Sequence, residues 1–537
     1  MYNAIANAKG MTKVATPSAG DVPHMQKAVK ELLAAEPGTT LVVSASNDPA
    51  VQVLVNGINI MLGNYGTTIS TDRPIHARQG NDAEMASFVR EVSAGTVDAV
   101  IFFNCNPVYN SAEGKALEAA LSKVKTKIST SDRMDETTDL VDYIAPDHHY
   151  LEQWNDVELK QGQYSMVQPT ISPLFDTRQA PESILAWAGN VVEYYKYLQN
   201  HWQETFFANQ NVTSSFQMFW DKLLFDGVYE VEGNTTSYTF NPAATASAAN
   251  SISQNYKGGG DVELVLYEKL MIGDGSLANN PWLQEASDPI SKATWDNYLT
   301  ISQGMADELG IEMVEENTSM VDLTVGGETM SVPALVQPGQ APGTVGLALG
   351  YGRTKAGRGA NNVGINAYPL ITRHNGATTM DVLAGVSLVK KGKPDKSART
   401  QTHETYMART NVVQESTLAE YQQNTKAGRV YPKIYKEGEF YKPSQITLWQ
   451  GHEYKNHHWA MAIDMNTCTG CSSCVVACQV ENNIPVVGKE EVLNRREMAW
   501  IRIDRYYSSD ADVDDRRGLL DASANPEVTF QPMMLPQ

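Results

Sequence analysis

Asp98-Ala-Val-Ile-Phe-Phe103-Asn-Cys-Asn-Pro107 lies between two stretches of helical periodicity, Asp82–Ala94 and Ser111–Lys123, and Lys127-Ile-Ser-Thr follows them. Short apolar runs alternating with helices of roughly 10–15 residues predict a parallel sheet with helices on its faces. The run Asp98–Phe103 reads as a buried strand. Asn104-Cys-Asn-Pro107 then falls beyond its carboxyl end, where open α/β sheets bind ligands.

Upstream, the same alternation continues. His24–Ala35 reads as a helix, Thr40-Leu-Val-Val-Ser44 as a strand, and Pro49–Leu62 as a helix stopped by Gly63-Asn-Tyr-Gly66. Downstream, Tyr194-Tyr-Lys-Tyr-Leu and Phe216–Phe225 are aromatic helical patches, and Asn234 to Gly260 reads as a long polar loop. Val262–Tyr267 predicts a strand. The short β runs Met320–Val325, Met330–Val336 and Thr344–Leu349, separated by Gly and Pro, predict a small barrel. Residues 425–460 show little periodicity and read as a connector. Met498–Tyr507 alternates as a strand does, and the acidic Asp510–Asp515 reads as an exposed loop.

The strongest chemical signal is Cys468-Thr-Gly-Cys471-Ser-Ser-Cys474-Val-Val-Ala-Cys478, which holds four of the five cysteines. The spacing CxxCxxCxxxC is that of an iron–sulfur ligand run, in which three thiolates hold one cluster and the fourth binds a neighbouring one. Structural zinc sites pair two short arms across a longer loop, so this spacing favours iron and sulfur. The small residues between the cysteines let the chain curl, and Ile463, Val475, Val476 and Ile484 are candidates to shield a cluster from water.

The 537 residues exceed one hydrophobic core, and about three or four domains are expected. The net charge of −20 argues against duplex nucleic acid as a partner and favours a cationic protein. Apolar stretches such as Ala50–Leu62 and Val97–Phe103 are broken well before the roughly 18–20 residues of a membrane span. The first ten residues lack the basic start and apolar core of a secretory signal.

A resemblance sharpens these readings. Thr137-Thr-Asp-Leu-Val-Asp-Tyr-Ile-Ala-Pro146, His148–Asp156 and Phe103-Asn-Cys-Asn-Pro107 resemble the molybdopterin oxidoreductase superfamily, and Val332–Gly352 looks like its double-psi β-barrel. Gly273–Glu285 and His457–Cys468 narrow this to the large iron–sulfur subunit of bacterial alternative complex III. The resemblance implies an α/β plus β-barrel architecture. A molybdopterin-oxidoreductase-like α/β domain would span 1–260, a double-psi β-barrel-like domain 261–430, a connector 431–459, and the start of a ferredoxin-like iron–sulfur domain 460–537. Nothing matches the first two domains of that superfamily, and further cysteine runs are expected after Gln537.

The implied function is electron transfer from quinol toward cytochrome c or a terminal oxidase, as a relay and not as the substrate-converting site. The implied cofactors are iron–sulfur clusters, [4Fe-4S] in type, on Cys468, Cys471, Cys474 and Cys478, with no molybdenum. The implied partners are a membrane quinol-oxidising subunit and a c-type cytochrome subunit, on the periplasmic face of the inner membrane. The alternative is a molybdopterin-dependent oxidoreductase fragment of the polysulfide or tetrathionate reductase type. Molybdenum analysis separates the two.

Cys105 is expected to be a buried structural thiol beside a turn, since the superfamily's metal ligand belongs to a domain this chain does not match. Asn104, Asn106, Asp142 and His148 are candidates to line a vestigial pterin groove, with a packed interface as the competing reading. His452, His457 and His458 are expected as interface or core histidines. Gly350-Tyr-Gly-Arg-Thr-Lys-Ala-Gly-Arg-Gly359 lacks a P-loop ending, and barrel turns explain its glycines.

Overall fold

A computed structural model of the chain describes residues 1–15, 22, 24–77, 79–231, 239–256, 260–405, 414–509, 516–525, 528 and 530–536. The chain divides into two units. Unit one comprises residues 1–260, 353–361 and 366–384, and unit two comprises 261–352, 362–365 and 385–537.

In unit one, Ala99–Phe102 (β1), Thr126–Ser129 (β2) and Tyr143–Ile144 (β3) pair in that order, all parallel. The preceding helix, Asp82–Ala94, starts where the Asn81 side chain accepts the Glu84 N–H, and ends at Gly95, whose φ of 73° suits glycine. Its buried face, Val89 and Val92, joins Phe102, Leu117, Leu121 and Val124 in one core. Burying each such side chain contributes about 1.5–3 kcal/mol. The helix expected from Ser111 begins at Gly114, where the Val108 carbonyl comes so close that a Cβ would stand 2.2 Å from it.

The strand expectation at β1 holds, but its burial does not. Only one face is covered, and Ile101 and Phe103 are each 46% exposed.

Thr40–Ser44 is not a strand. The buried Asn59 side chain accepts the Val42 N–H at 3.0 Å and donates to the Val42 carbonyl at 2.7 Å, so a side-chain amide supplies the bonds a neighbouring strand would make. Part of the predicted loop Asn234–Gly260 is instead the helix Ala244–Asn255, alanine-rich, with Ala248 and Ala249 buried, packed on Pro49–Met61. Residues 232–238 and 257–259 of that stretch lie outside the described residues. The aromatic patches form the helices Tyr194–Thr205 and Phe216–Asp226. With the antiparallel strands Asn155–Lys160, Gln163–Val167 and Val228–Glu230 they enclose Trp202, Phe206, Phe219 and Trp220. Trp202 is fully buried and donates Nε1–H to Asp156 at 2.7 Å.

Unit two is built on a mixed sheet. Glu263–Tyr267 pairs parallel with Thr344–Ala348, which pairs antiparallel with Leu299–Ile301, which pairs parallel with Glu328–Val336. The ladder continues antiparallel through Asn317–Val325 to Val386–Lys396. The β-rich character expected here is present. Among the described residues, the ladder within this unit does not return from Val386–Lys396 to Glu263–Tyr267, so it forms an open path and not a closed barrel. The strand read over Met498–Tyr507 forms later, as Ile503–Ser509 paired antiparallel with Phe530–Pro536, while Met498 and Trp500 are exposed. Asp510–Asp515 lies outside the described residues.

Candidate functional site

The cysteine run sits in unit two on a turn that leads into a helix. The Asp464 carbonyl accepts the N–H groups of Thr467 and Cys468 at 3.1 and 3.0 Å, closing the first bend. Gly470 follows with φ 69°, and a Cβ there would stand 2.6 Å from Met534 Cγ. Ser472 is buried in the left-handed region at φ 61° and starts the helix Ser473–Glu481. Cys474 and Cys478 lie four residues apart in that helix and share a face. Cys474 is exposed, and Cys468, Cys471 and Cys478 are half-buried.

Two polar neighbours act on the sulfurs. Cys471 Sγ and Ser473 Oγ lie 3.3 Å apart; hydrogen bonding from the Ser473 hydroxyl and then its amide holds the Cys471 thiol below its ordinary range. That favours the thiolate, the form that binds metal. Asn482 donates Nδ2–H to the Cys478 carbonyl at 2.9 Å and to Cys478 Sγ at 3.4 Å. Sequence reading missed Asn482, although its four-residue spacing from Cys478 on a helix was a usable signal.

The segment after the helix is fastened to its own unit. The Ile484 carbonyl accepts Trp282 Nε1–H at 3.1 Å, the Glu285 carboxylate accepts the Gly488 N–H at 2.8 Å, and Lys489 pairs with Asp296 at 2.5 Å. On the side away from Cys474, Ser472, Val475, Val476 and Gln479 line a cavity of about 610 Å³. Of the expected shielding residues, Ile484 is buried and Val475 and Val476 are half-buried, but Ile463 is 37% exposed.

The donor chemistry fits an iron–sulfur cluster: four thiols on a tight turn, one held toward its thiolate and another receiving an amide hydrogen bond. The sulfurs are not gathered. Among the described residues, no three His, Cys, Asp or Glu side chains converge as a metal-holding group.

His452, His457 and His458 are exposed, which corrects the core reading; His458 stacks on Tyr454 at 3.9 Å between ring centroids. Cys105 is also exposed, where a buried thiol was expected. Crowding around its sulfur, then the nearby Asp135 carboxylate, push that thiol up and leave it a poor ligand at neutral pH.

The four groove candidates in unit one are each engaged by the chain itself. Asn104, at φ 47°, donates Nδ2–H to Asp147 at 2.6 Å, and its N–H goes to Thr130 Oγ1 at 3.0 Å. Asn106 Nδ2–H donates to Glu136 at 2.7 Å and Asn106 Oδ1 accepts from the Thr137 hydroxyl at 2.7 Å. Asp142 pairs with Lys127 at 3.0 Å, and His148 Nδ1 lies 2.6 Å from Thr177 Oγ1. The structure therefore brings Asn104 and Asn106 to the carboxyl end of the parallel sheet, and each of the four is bonded to a side chain of the same unit.

Comparison with known proteins adds two partial matches. The chain is 32% identical over 110 residues to the menaquinone reductase molybdopterin-binding-like subunit of Nitratidesulfovibrio vulgaris, covering 20% of this chain and 16% of that subunit. It is 65% identical over 26 residues to the menaquinone reductase iron–sulfur cluster-binding subunit of the same organism, covering 5% of this chain and 10% of that subunit. The matches thus span well under two thirds of either relative's length. Among solved structures, acetylene hydratase from Pelobacter acetylenicus has a TM-score of 0.41 at 14% identity, over 58% of this chain and 47% of that one. No family model matches. The chain is thus similar in part to two menaquinone reductase subunits of one organism, one molybdopterin-binding-like and one iron–sulfur cluster-binding.

Proposed function

We propose that this chain is an electron-transfer subunit of a membrane-associated, quinone-linked respiratory oxidoreductase. The observation that carries the reading is the Cys468–Cys478 run, set on a turn and helix where Ser473 favours the Cys471 thiolate. Similarity to both a molybdopterin-binding-like and an iron–sulfur subunit of menaquinone reductase supports it. Bound iron–sulfur clusters would supply one-electron storage and transfer. Cys468, Cys471 and Cys474 would hold one cluster and Cys478 a neighbouring one; Gly470 and Ser472 bend the chain between these ligands, and Ser473 and Asn482 place hydrogen-bonding groups at the Cys471 and Cys478 sulfurs.

The finer reading is the alternative complex III assignment. Electrons leave quinol in a membrane partner and pass through the clusters toward a c-type cytochrome subunit, on the periplasmic face. Both units are read as molybdopterin-oxidoreductase-like, and both serve as scaffold without molybdenum. Among the described residues no helix is long and apolar enough to cross a membrane, and the quinone site is assigned to a partner.

Metal analysis and electron paramagnetic resonance of the purified complex test this. Iron with acid-labile sulfide and no molybdenum is expected, and Cys471→Ser should lose iron while Cys105→Ser retains it. Stoichiometric molybdenum, or iron unaffected by Cys471→Ser, would sink the reading. Turnover with quinol and cytochrome, against turnover with quinone and a reductant, decides the direction.

A further inference from the structure

A second site of distinct chemistry lies wholly within unit two, on the strand Ile503–Ser509. Alternation along that strand sets Arg505 and Tyr507 on one side, with the guanidinium carbon 4.7 Å from the centre of the Tyr507 ring. Arg505 is 2% exposed. Its Nε–H donates to the Ile290 carbonyl at 2.7 Å, and the Gln401 side chain accepts its N–H at 2.8 Å and donates to its carbonyl at 2.6 Å. The residue is thus fixed at both backbone and side chain. Among the described residues, Arg505 Nη1 is buried with no hydrogen-bond partner.

Arg505 and Tyr507 line a cavity of about 10 Å³, with Arg399 and Glu404 also in its wall. Arg399 and Glu404 are each 2% exposed, and Arg399 Nη1 stands 4.0 Å from the Glu404 carboxylate. Two guanidiniums share one carboxylate, so the charged part of the wall is net positive. Next to it the Lys292 ammonium donates to the Ile503 carbonyl, and burial, then the Arg505 charge, push it down to about 8 against the pull of Asp504 and Asp288. A buried cation without a counter-charge is costly, and an N–H left pointing into a void adds to that cost. The cavity has room for one monoatomic guest or one water and none for sulfate or phosphate. A water would bring two hydrogens of its own to a wall that already supplies donors; an anion brings none.

We propose that Arg505, with Arg399 in the same wall, forms a site for a single halide-sized anion, chloride under ordinary conditions, which completes the charge balance of this buried cluster. The site is linked to the cysteine turn through one strand pair. Arg505 is in register with Met534, and Met534 is the residue that stands against Gly470. An occupied site therefore steadies the strand that keeps Met534 behind the cysteine turn.

The test is thermal unfolding of the full chain in sodium gluconate, with chloride or bromide replacing gluconate up to about 100 mM at constant ionic strength. The unfolding constant of wild type should fall ~10-fold at about 100 mM chloride, as a site of roughly 10 mM affinity requires. Arg505→Met, which keeps much of the bulk and removes the charge, should lose that dependence, and Arg496→Met, at an exposed arginine, should keep it. Wild-type stability that is the same in gluconate and in chloride, or a chloride effect that survives Arg505→Met, overturns the proposal. If Arg505→Met does not fold, bromide-soaked crystals of wild type decide the matter. An anomalous peak beside Arg505 Nη1 supports the site, whereas a water there, or an adventitious ion only, overturns it. None of these outcomes depends on iron content, so they stand apart from the electron-transfer reading.

Discussion

Replacing Glu136 by glutamine keeps the shape of the side chain and removes its charge, which isolates the electrostatic part of its contact with Arg353. In the folded chain, burial raises the Glu136 carboxyl, but hydrogen bonds from Arg353, Asn106 and the Thr354 amide, with the Arg353 charge, more than reverse this and hold it at about 2 against an ordinary 4.5. The folded value lies below the unfolded one. The stabilisation is therefore fully present above about pH 4.5 and is lost as pH falls through about 2. At about 1.4 kcal/mol per pH unit, the gap from 4.5 to about 2 corresponds to roughly 3.5 kcal/mol, or about 300-fold in a local opening equilibrium. The amides of Thr354 and Lys355 donate to this carboxylate and report on it directly. Their hydrogen exchange, followed by mass spectrometry, should be up to about 300-fold faster in Glu136→Gln than in wild type near neutral pH. The ratio should shrink steadily as pH is lowered from about 4.5 toward 2. A ratio of one at neutral pH, or one that does not change across that window, would refute the reasoning.

Trp202→Ala should destabilise unit one by about 3–5 kcal/mol, because it empties the centre of the aromatic core and leaves Asp156 without its indole donor; near-ultraviolet circular dichroism during thermal unfolding reads this. Ser473→Ala should raise the Cys471 thiol toward its ordinary value, so alkylation of the metal-free chain at Cys471 should slow at neutral pH while Cys474 is unchanged. Gly470→Ala should lower iron content, since its Cβ meets Met534 and its φ of 69° costs roughly 1–2 kcal/mol for a residue with a side chain. Adding Met534→Ala should restore part of that iron, because it relieves the contact and leaves only the backbone cost.

The elements that were legible were those whose periodicity and punctuation agree. Asp82–Ala94 is bracketed by Asn81 and Gly95, and Phe216–Asp226 by Ser215 and Gly227, so sequence and structure coincide there within a residue. Thr40–Ser44 had strand composition, but composition cannot show that Asn59 would supply the partner that makes a ladder unnecessary. Ala244–Asn255 was hidden by its polar flanks, since small residues at contact positions carry little hydrophobic signal. The cysteine run was legible as a ligand set from spacing alone. Its tuning by Ser473 and Asn482 depends on the direction of the helix and had to be built in three dimensions. The exposure of Cys105 followed the same logic in reverse: a thiol at the end of a strand is covered only if something packs there. Glu136 was invisible because its partner Arg353 lies more than two hundred residues away.

That separation bears on how the polypeptide is made. Unit one takes in residues 353–361 and 366–384, after every strand of the mixed sheet of unit two except Val386–Lys396. During synthesis, residues 1–260 emerge first, yet Glu136 then has no Arg353 and Glu113 has no Arg373. The hydrophobic clusters of the first unit lie within residues 1–260, whereas these two ion pairs wait for residues 353 and 373. An expression fragment cut at residue 260 would keep those clusters and leave Glu113 and Glu136 without their arginines.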